Sequence, residues 1–410
     1  MDIYVARQPI FNRHQKVIGY ELLYRSGLTN SYDGTDGTEA SLAVIRNTFL
    51  YMGQRIVAPP SQAFINLTKD LLIKGAAGML PSTSTVIEIL EDIEPDETLL
   101  KALRELKEAG YTLALDDYTI TNEMQRSLLE LADIVKVDFM QSTREDSQAI
   151  VQRLGKGRGR FLAEKVETLD DFKSALSMGY SFFQGYFFSK PVIVPGKAIP
   201  GYKLNYVRML RETNRRDLDF HALERVIKQD TTLCYTLLKY INSAYFGLRD
   251  KVTSLLSAMV LLGEKEIRRW ASLVLFTLIG ADKPPEVIVR SLIRAQMCEL
   301  LAADIGLQRQ ESEVFLMGMF SMLDVLIGRP LADILEEMNL SKDVKAALLG
   351  EENAYRDLYH VVVNYESGDW DTCFQAASKL NIDPESIPQS YVKAVEWADE
   401  VANVGNHQSK

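Results

Sequence analysis

Six polar residues recur at the ends of short apolar runs: Asn66, Glu88, Asp116, Lys136, Glu164 and Gln184. One such residue reads as a helix cap or an ordinary strand-end polar group; six in phase do not. If the runs are parallel strands of one barrel, their C-terminal ends share a face and these side chains converge on a single mouth. Carboxylates gathered in this way raise one another's pKa values, and a divalent cation resolves the conflict. Oxygen donors without Cys or His suit Mg²⁺ or Mn²⁺ rather than zinc or copper. The adjacent acids Asp116 and Asp117 would serve two ions, an arrangement that activates water and supports in-line displacement at phosphorus. Lys136 would hold the nucleophilic water or offset phosphoryl charge. Residue types and spacing thus imply a metal-dependent phosphoester hydrolase.

The elements that must position these residues are legible in the first half. The runs are Val17–Glu21, Ala63–Asn66, Thr85–Glu88, Thr112–Asp116, Ile134–Asp138, Arg160–Glu164 and Ser181–Gln184, with amphipathic segments between most of them. From Glu88 the strand ends advance to Asp116, Asp138, Glu164 and Gln184, steps of 28, 22, 26 and 20 residues and the length of a strand–helix unit. A further strand near Ile3 to Val5 makes about eight, the number that closes an α/β, TIM-like (β/α) barrel. The pattern changes near Pro195-Gly196-Lys197 and Ile199-Pro200-Gly201. Beyond it lie helical patterns at 222–228, 232–241, 267–279, 287–305 and 313–327, broken at Lys283-Pro284-Pro285 and Gly328-Arg329-Pro330. The expected organisation is a barrel over residues 1–200, an all-helical domain over 201–403 and a frayed tail over 404–410.

Composition narrows the classes. With 46 basic and 56 acidic residues the net charge is −10, which argues against broad, non-specific DNA binding. Three widely spaced cysteines argue against a disulfide framework and for a reducing compartment. The residues from Met1 to Pro9 lack the basic and apolar regions of a signal peptide, and the apolar stretch around Ala271 to Ile279 is too short to cross a membrane. A cytoplasmic protein is expected, with no membrane and no DNA among its partners.

Particular motifs make the barrel reading specific. Glu21-Leu22-Leu23-Tyr24-Arg25, preceded by Arg7-Gln8-Pro9-Ile10, resembles the Glu-x-Leu-x-Arg signature of the EAL family of cyclic di-GMP phosphodiesterase domains. Phe64–Thr68, Ile87–Glu91, Leu115–Tyr118, Val135–Asp138, Ala163–Thr168 and Phe183–Pro191 resemble that family's later motifs in the same order. The resemblance implies metal ligation by Glu21, Asn66, Glu88, Asp116 and Glu167, with Asp117 serving the second ion. It implies that Lys136 orients the attacking water and that Glu164 is a candidate general base. Gln8, Arg25, Asp138 and Gln184 would contact the nucleotide, Gln184 supporting either it or the metal shell. There are two departures. The family's Gly-Thr-Gly-Tyr-Ser-Ser-Leu loop is replaced by Thr119–Gln125, and Lys165 stands where the family has glycine.

In the second half, Asp230–Leu233, Tyr240–Gly247, Val252–Ser254, Ala258 and Leu261–Gly263 resemble the HDOD domain, a helical relative of HD phosphohydrolases. Where those hydrolases carry Gly-Leu-Leu-His-Asp, this chain has Gly318-Met319-Phe320-Ser321-Met322, and its four histidines are scattered. This half is therefore expected to bind a protein partner rather than to catalyse. Together the resemblances imply a bacterial signalling protein that hydrolyses cyclic di-GMP to the linear dinucleotide with Mg²⁺ or Mn²⁺, weakly or under control of the HDOD domain. A homodimer is a possible form. The alternative is a non-catalytic cyclic di-GMP receptor or interaction scaffold.

Overall fold

The computed structural model describes residues 3–26, 61–120, 126–154, 160–188, 206, 209–210, 212–215, 217–242, 246 and 251–406. Its first element is a hairpin of β1 (Ile3–Asn12) and β2 (Val17–Ser26). Asn12 turns it: the Asn12 side chain accepts from the backbone N–H of His14 and of Lys16, and Gln15 takes a positive φ of 56°. Four residues cannot make a parallel crossover, so β1 runs antiparallel to β2. This differs from the expected uniform strand–helix repeat. The later strands run parallel and alternate with helices: β3 (Gln62–Leu67), α1 (Lys69–Ile73), β4 (Thr85–Ile89), α2 (Glu97–Glu108), β5 (Thr112–Leu115), α3 (Arg126–Leu129), β6 (Ile134–Asp138), α4 (Arg144–Leu154), β7 (Arg160–Glu164), α5 (Leu169–Met178) and β8 (Phe182–Gln184). β8 pairs antiparallel with Ile10–Asn12 and closes an eight-stranded barrel.

Local chemistry places the helices. Asp96 caps α2 by accepting from the Leu99 amide, and Leu99, Leu103 and Leu106 form the buried stripe of that helix. Thr168 and Asp171 make a reciprocal capping box at the start of α5. Inside the barrel, Ile10, Phe64, Val86, Ala114, Ile134, Leu162 and Phe182 form one buried apolar layer. On β2 the corresponding position is Gly19, paired with Ile10. A Cβ there would come within 2.9 Å of the Phe64 ring and 2.5 Å of the Gln62 carbonyl, so only glycine fits.

Contacts divide the chain into two units. The first joins Met1–Lys190 to His360–Ser378 and Ile382–Lys410; the second comprises Pro191–Tyr359 and Lys379–Asn381. The helices after the barrel are α6 (Phe220–Ile227), α7 (Thr231–Ile241), α8 (Leu255–Ile279), α9 (Pro285–Leu301), α10 (Glu311–Phe320), α11 (Leu323–Ile327), α12 (Leu331–Glu337), α13 (Lys342–Leu348), α14 (Ala354–Ser367), α15 (Trp370–Leu380) and α16 (Ser386–Asn406). In the helical unit α9 lies hard against α10, because a Cβ on Gly318 would stand 2.5 Å from the Arg294 carbonyl. The last helices pack with the barrel instead of ending the helical domain as expected. β8 pairs with only the end of β1, and tyrosine hydroxyls bond to the remaining backbone. Tyr365 Oη accepts from Val5 N at 3.3 Å and donates to Val5 O at 3.2 Å, while Tyr391 Oη accepts from Arg7 N at 3.2 Å. α16 runs to Asn406, into the stretch expected to fray: its one proline, Pro388, lies in the first turn, where no intrahelical hydrogen bond is lost, and helix propagation is cheap once nucleated. Residues 407–410 lie outside the described set.

Candidate metal centre

Directly above the apolar layer sits a polar one, two residues further along each parallel strand. Phe64 is followed by Asn66, Val86 by Glu88, Ala114 by Asp116, Ile134 by Lys136, Leu162 by Glu164, Phe182 by Gln184 and Gly19 by Glu21. The two-residue period of a strand returns each side chain to the barrel interior. On the reversed strand β1 the count runs backward, from Ile10 to Gln8, and Gln8 pairs in register with Glu21. All eight strands contribute to the ring. The six strand-end residues singled out in sequence are brought together; membership of Gln8 was hidden because the sequence placed β1 only near Ile3 to Val5, whereas it extends to Asn12. A two-residue count taken backward from Ile10 would have found it.

Lys136 is the hub. Its ammonium is fully buried and stands 2.7 Å from Glu88 Oε1, 2.8 Å from Asp116 Oδ1, 3.0 Å from Glu164 Oε1 and 3.7 Å from Glu21 Oε1. Burial opposes its charge, but Glu164, Glu21, Glu88 and Asp116 hold its pKa well above the ordinary lysine value. Glu21 is also buried, yet Lys136 and donated hydrogen bonds from Gln184 (2.6 Å) and Asn66 (3.1 Å) keep its carboxyl below the usual range. Burial drives Glu88 well above that range despite Lys136. Burial likewise pushes Glu164 up to about 8 against the pull of Lys136, with the charges of Asp116 and Glu21 adding to the rise. Asp117 is raised by burial and by Asp116.

One lysine cannot neutralise this many acids, and its contacts lie outside good hydrogen-bond angles. Both Glu88 oxygens, Asn66 Oδ1, Glu164 Oε2 and Gln184 Oε1 are buried without a hydrogen-bond donor. Buried acceptors left in this state call for a cation. One oxygen from each of Asp116, Asp117 and Glu164 lies within 4.8 Å of the others. All the donors are oxygens, so the residues present fit a hard divalent ion.

The remaining candidates are placed less uniformly. Asp117 follows β5 with a positive φ of 40°, a conformation aspartate tolerates better than most residues. Its neighbours are pinned, Asp116 N donating to Ile89 O and Tyr118 N to Lys136 O. Asp138 is occupied within the protein: it accepts from the Met140 and Gln141 amides and from Lys165 Nζ at 2.5 Å. Lys165 adopts φ 52°, which explains why a glycine suits this position in the EAL motif. Beyond that left-handed turn Val166 N bonds to Gln184 O, and the half-buried Glu167 lies outside the close carboxylate group. Gln8 donates to Ser367 O and accepts from Gln184, both at 3.2 Å. The Arg25 side chain and residues 121–125 of the departing loop lie outside the described residues.

In the helical unit the positions corresponding to a His-Asp metal pair hold Ser321 and the buried Met322. The Arg294 guanidinium donates to Ser321 Oγ at 3.1 Å and to Tyr359 Oη at 3.3 Å. A cation stands beside the place where an HD hydrolase binds metal. Among the described residues, the close group of possible ligands is the one in the barrel.

An acid-rich ring on an eight-stranded barrel, followed by a helical unit without that unit's metal ligands, defines the class. Residues 60–191 match the EAL domain and residues 199–352 match the HDOD domain. Over 404 residues the chain is 38% identical to the protein YuxH of Bacillus subtilis (strain 168), covering 97% of this chain and 98% of that one. Over 401 residues it is 35% identical to the cyclic di-GMP phosphodiesterase CdgJ of Vibrio cholerae serotype O1, covering 97% and 93%. The chain belongs to the family of proteins that join an EAL barrel to an HDOD domain. Among solved structures it is similar to the manganese/cyclic di-GMP complex of Klebsiella pneumoniae BlrP1 at pH 9.0, with 25% identity and a TM-score of 0.40. That likeness covers 46% of this chain and 55% of BlrP1, so the chain spans about half the length of that relative. Among the described residues no helix is long and apolar enough to cross a membrane.

Proposed function

We propose that this protein is a divalent-metal-dependent phosphodiesterase that opens cyclic di-GMP to the linear dinucleotide. The observation that carries the reading is the buried ring around Lys136, with acceptor oxygens left without donors on Glu88, Asn66 and Glu164. Alignment with the phosphodiesterase CdgJ over nearly the whole chain supports the choice of substrate. Glu21, Asn66, Glu88 and Asp116 would hold one Mg²⁺ or Mn²⁺, with Asp117 and Glu164 facing a second. The ions supply Lewis-acid activation of water and neutralise charge at phosphorus. Lys136 sits where it fixes the line between Glu88, Asp116 and Glu164, and its charge offsets that of the phosphoryl oxygens. Glu164, once deprotonated beside the ions, takes the proton of the attacking water from its place in the close carboxylate group. Hydroxide joins phosphorus, one phosphorus–oxygen ester bond breaks, and the departing ribose oxygen takes a proton from solvent, to which Glu164 returns the one it accepted. Gln8 and Gln184 border the nucleotide site, and Arg25 is assigned to it on the motif. The helical unit is read as a protein-interaction module, and the whole as a cytoplasmic protein able to form a homodimer.

One observation favours a second reading, a receptor that binds without turnover: Lys165 places a cation on Asp138, beside the carboxylates that would hold the second ion. Purified protein with cyclic di-GMP and Mn²⁺ or Mg²⁺ separates the two. Linear dinucleotide should accumulate with wild type and not with Glu88→Ala. Equal product from both would refute the assigned centre. Nucleotide binding without product would establish the receptor.

A further inference from the structure

A chain of hydrogen bonds that ends on Glu21 begins outside both domain matches, which end at residues 191 and 352. Ser367 closes α14, and its backbone carbonyl, which can only accept, takes a hydrogen bond from Gln8 Nε2. That fixes the orientation of the Gln8 amide and turns Gln8 Oε1 toward Gln184 Nε2. Gln184 must then present its NH₂ to Gln8 and Glu21 together, donating to Glu21 Oε2 at 2.6 Å. Its own Oε1 is left buried and without a donor. A flip at either amide would set two acceptors against each other. The same C-terminal segment clamps the strand that carries Gln8. Asp399 receives two hydrogen bonds from Arg7, at 3.2 and 3.0 Å, and Tyr365 and Tyr391 hold the backbone of Val5 and Arg7.

We propose that Gln8 is a positioning residue for the metal ligand Glu21, and that the C-terminal segment bearing Ser367 and Asp399 sets it through the chain Ser367 carbonyl, Gln8, Gln184, Glu21. The proposal rests on the reading of Glu21 as a metal ligand. Its content is directional. The end of α14 determines which face of each amide meets the ring, so a segment remote in sequence completes the metal centre. Outer partners of this kind typically change metal affinity 10- to 100-fold when removed.

Mn²⁺ binding to the full-length chain, measured by calorimetry without nucleotide, provides the test. Wild type should bind and Glu88→Ala should not; a wild type that binds no Mn²⁺ overturns the centre and the relay with it. Given that centre, Gln8→Leu should weaken Mn²⁺ about tenfold or more while thermal unfolding stays close to wild type. In a Gln184→Leu background the same change should add nothing, because the relay is already cut. Asp399→Asn, on the solvent side of the clamp, keeps the segment testable if Gln8→Leu folds poorly, and should weaken Mn²⁺ a few-fold. Unchanged affinity in Gln8→Leu, or additive effects of Gln8→Leu and Gln184→Leu, overturns the positioning role. Unchanged affinity in Asp399→Asn overturns the part assigned to the C-terminal segment.

Discussion

Replacing Lys136 by methionine keeps the length of the stem and removes only the charge. The ammonium makes three contacts of 2.7 to 3.0 Å with Glu88, Asp116 and Glu164. At an effective dielectric near 20, each such contact is worth about 6 kcal/mol of gross attraction. The net loss is smaller, because Glu88 and Glu164 already lean toward the protonated form and would take up protons once the lysine is gone. Breaking a buried pair from one side costs about 3–5 kcal/mol. At about 2–4 °C per kcal/mol, metal-free Lys136→Met should unfold on the order of 10 °C below wild type. Glu88 and Glu164 would sit further above the unfolded value of about 4.3, so the folded state binds the extra protons and stability falls as pH rises. The deficit should therefore be larger at pH 8 than at pH 6. A divalent ion would inherit the abandoned carboxylates, so Mn²⁺ should raise the melting temperature of the variant more than that of wild type. Calorimetric scans in EDTA and in Mn²⁺, at both pH values, provide the measurement. Equal stability in EDTA, or an equal gain from Mn²⁺, would show that Lys136 is not the counter-ion of the ring.

Glu164 in the metal-free protein titrates near 8 and must lose its proton to meet a cation, so Mn²⁺ affinity should rise up to about tenfold per pH unit below 8 and level off above it. Titrations in buffers of different ionisation enthalpy should detect about one proton released per site or more, and a flat affinity from pH 6 to 8 would contradict the titration. Lys165→Gly relieves a left-handed backbone costing about 1 kcal/mol, but frees the unfolded chain by a similar amount and loses a half-exposed ion pair of at most about 1 kcal/mol. Its melting temperature should stay within a few degrees of wild type, while the weaker metal-binding step tightens and turnover rises at low Mg²⁺. An unchanged metal titration and rate would make Lys165 a bystander.

The amino-acid sequence by itself determined most of the ring. A polar residue at the end of an apolar run is visible wherever a strand is parallel and buried, because its neighbour two positions back faces the same barrel interior and is apolar. Asn66, Glu88, Asp116, Lys136, Glu164 and Gln184 were all legible on that account, as was the loss of the His-Asp pair at Ser321 and Met322. Tertiary structure alone decided what depends on pairing across the chain. The reversed direction of β1 brings Gln8 into the ring, and that direction follows only once β1 is seen to extend to Asn12, which leaves a four-residue connection to β2. The left-handed turn at Lys165 directs its ammonium to Asp138 and leaves Glu167 outside the close group, although the family resemblance implied nucleotide contact for Asp138 and metal ligation for Glu167. Residues 360 to 403 read as a continuation of the helical domain, because amphipathic helices look alike whichever core they cover. Their partner was settled by Tyr365, Tyr391 and Asp399 meeting a strand more than 350 positions away, a specificity of shape and hydrogen bonding that exists only once both ends of the chain are folded together.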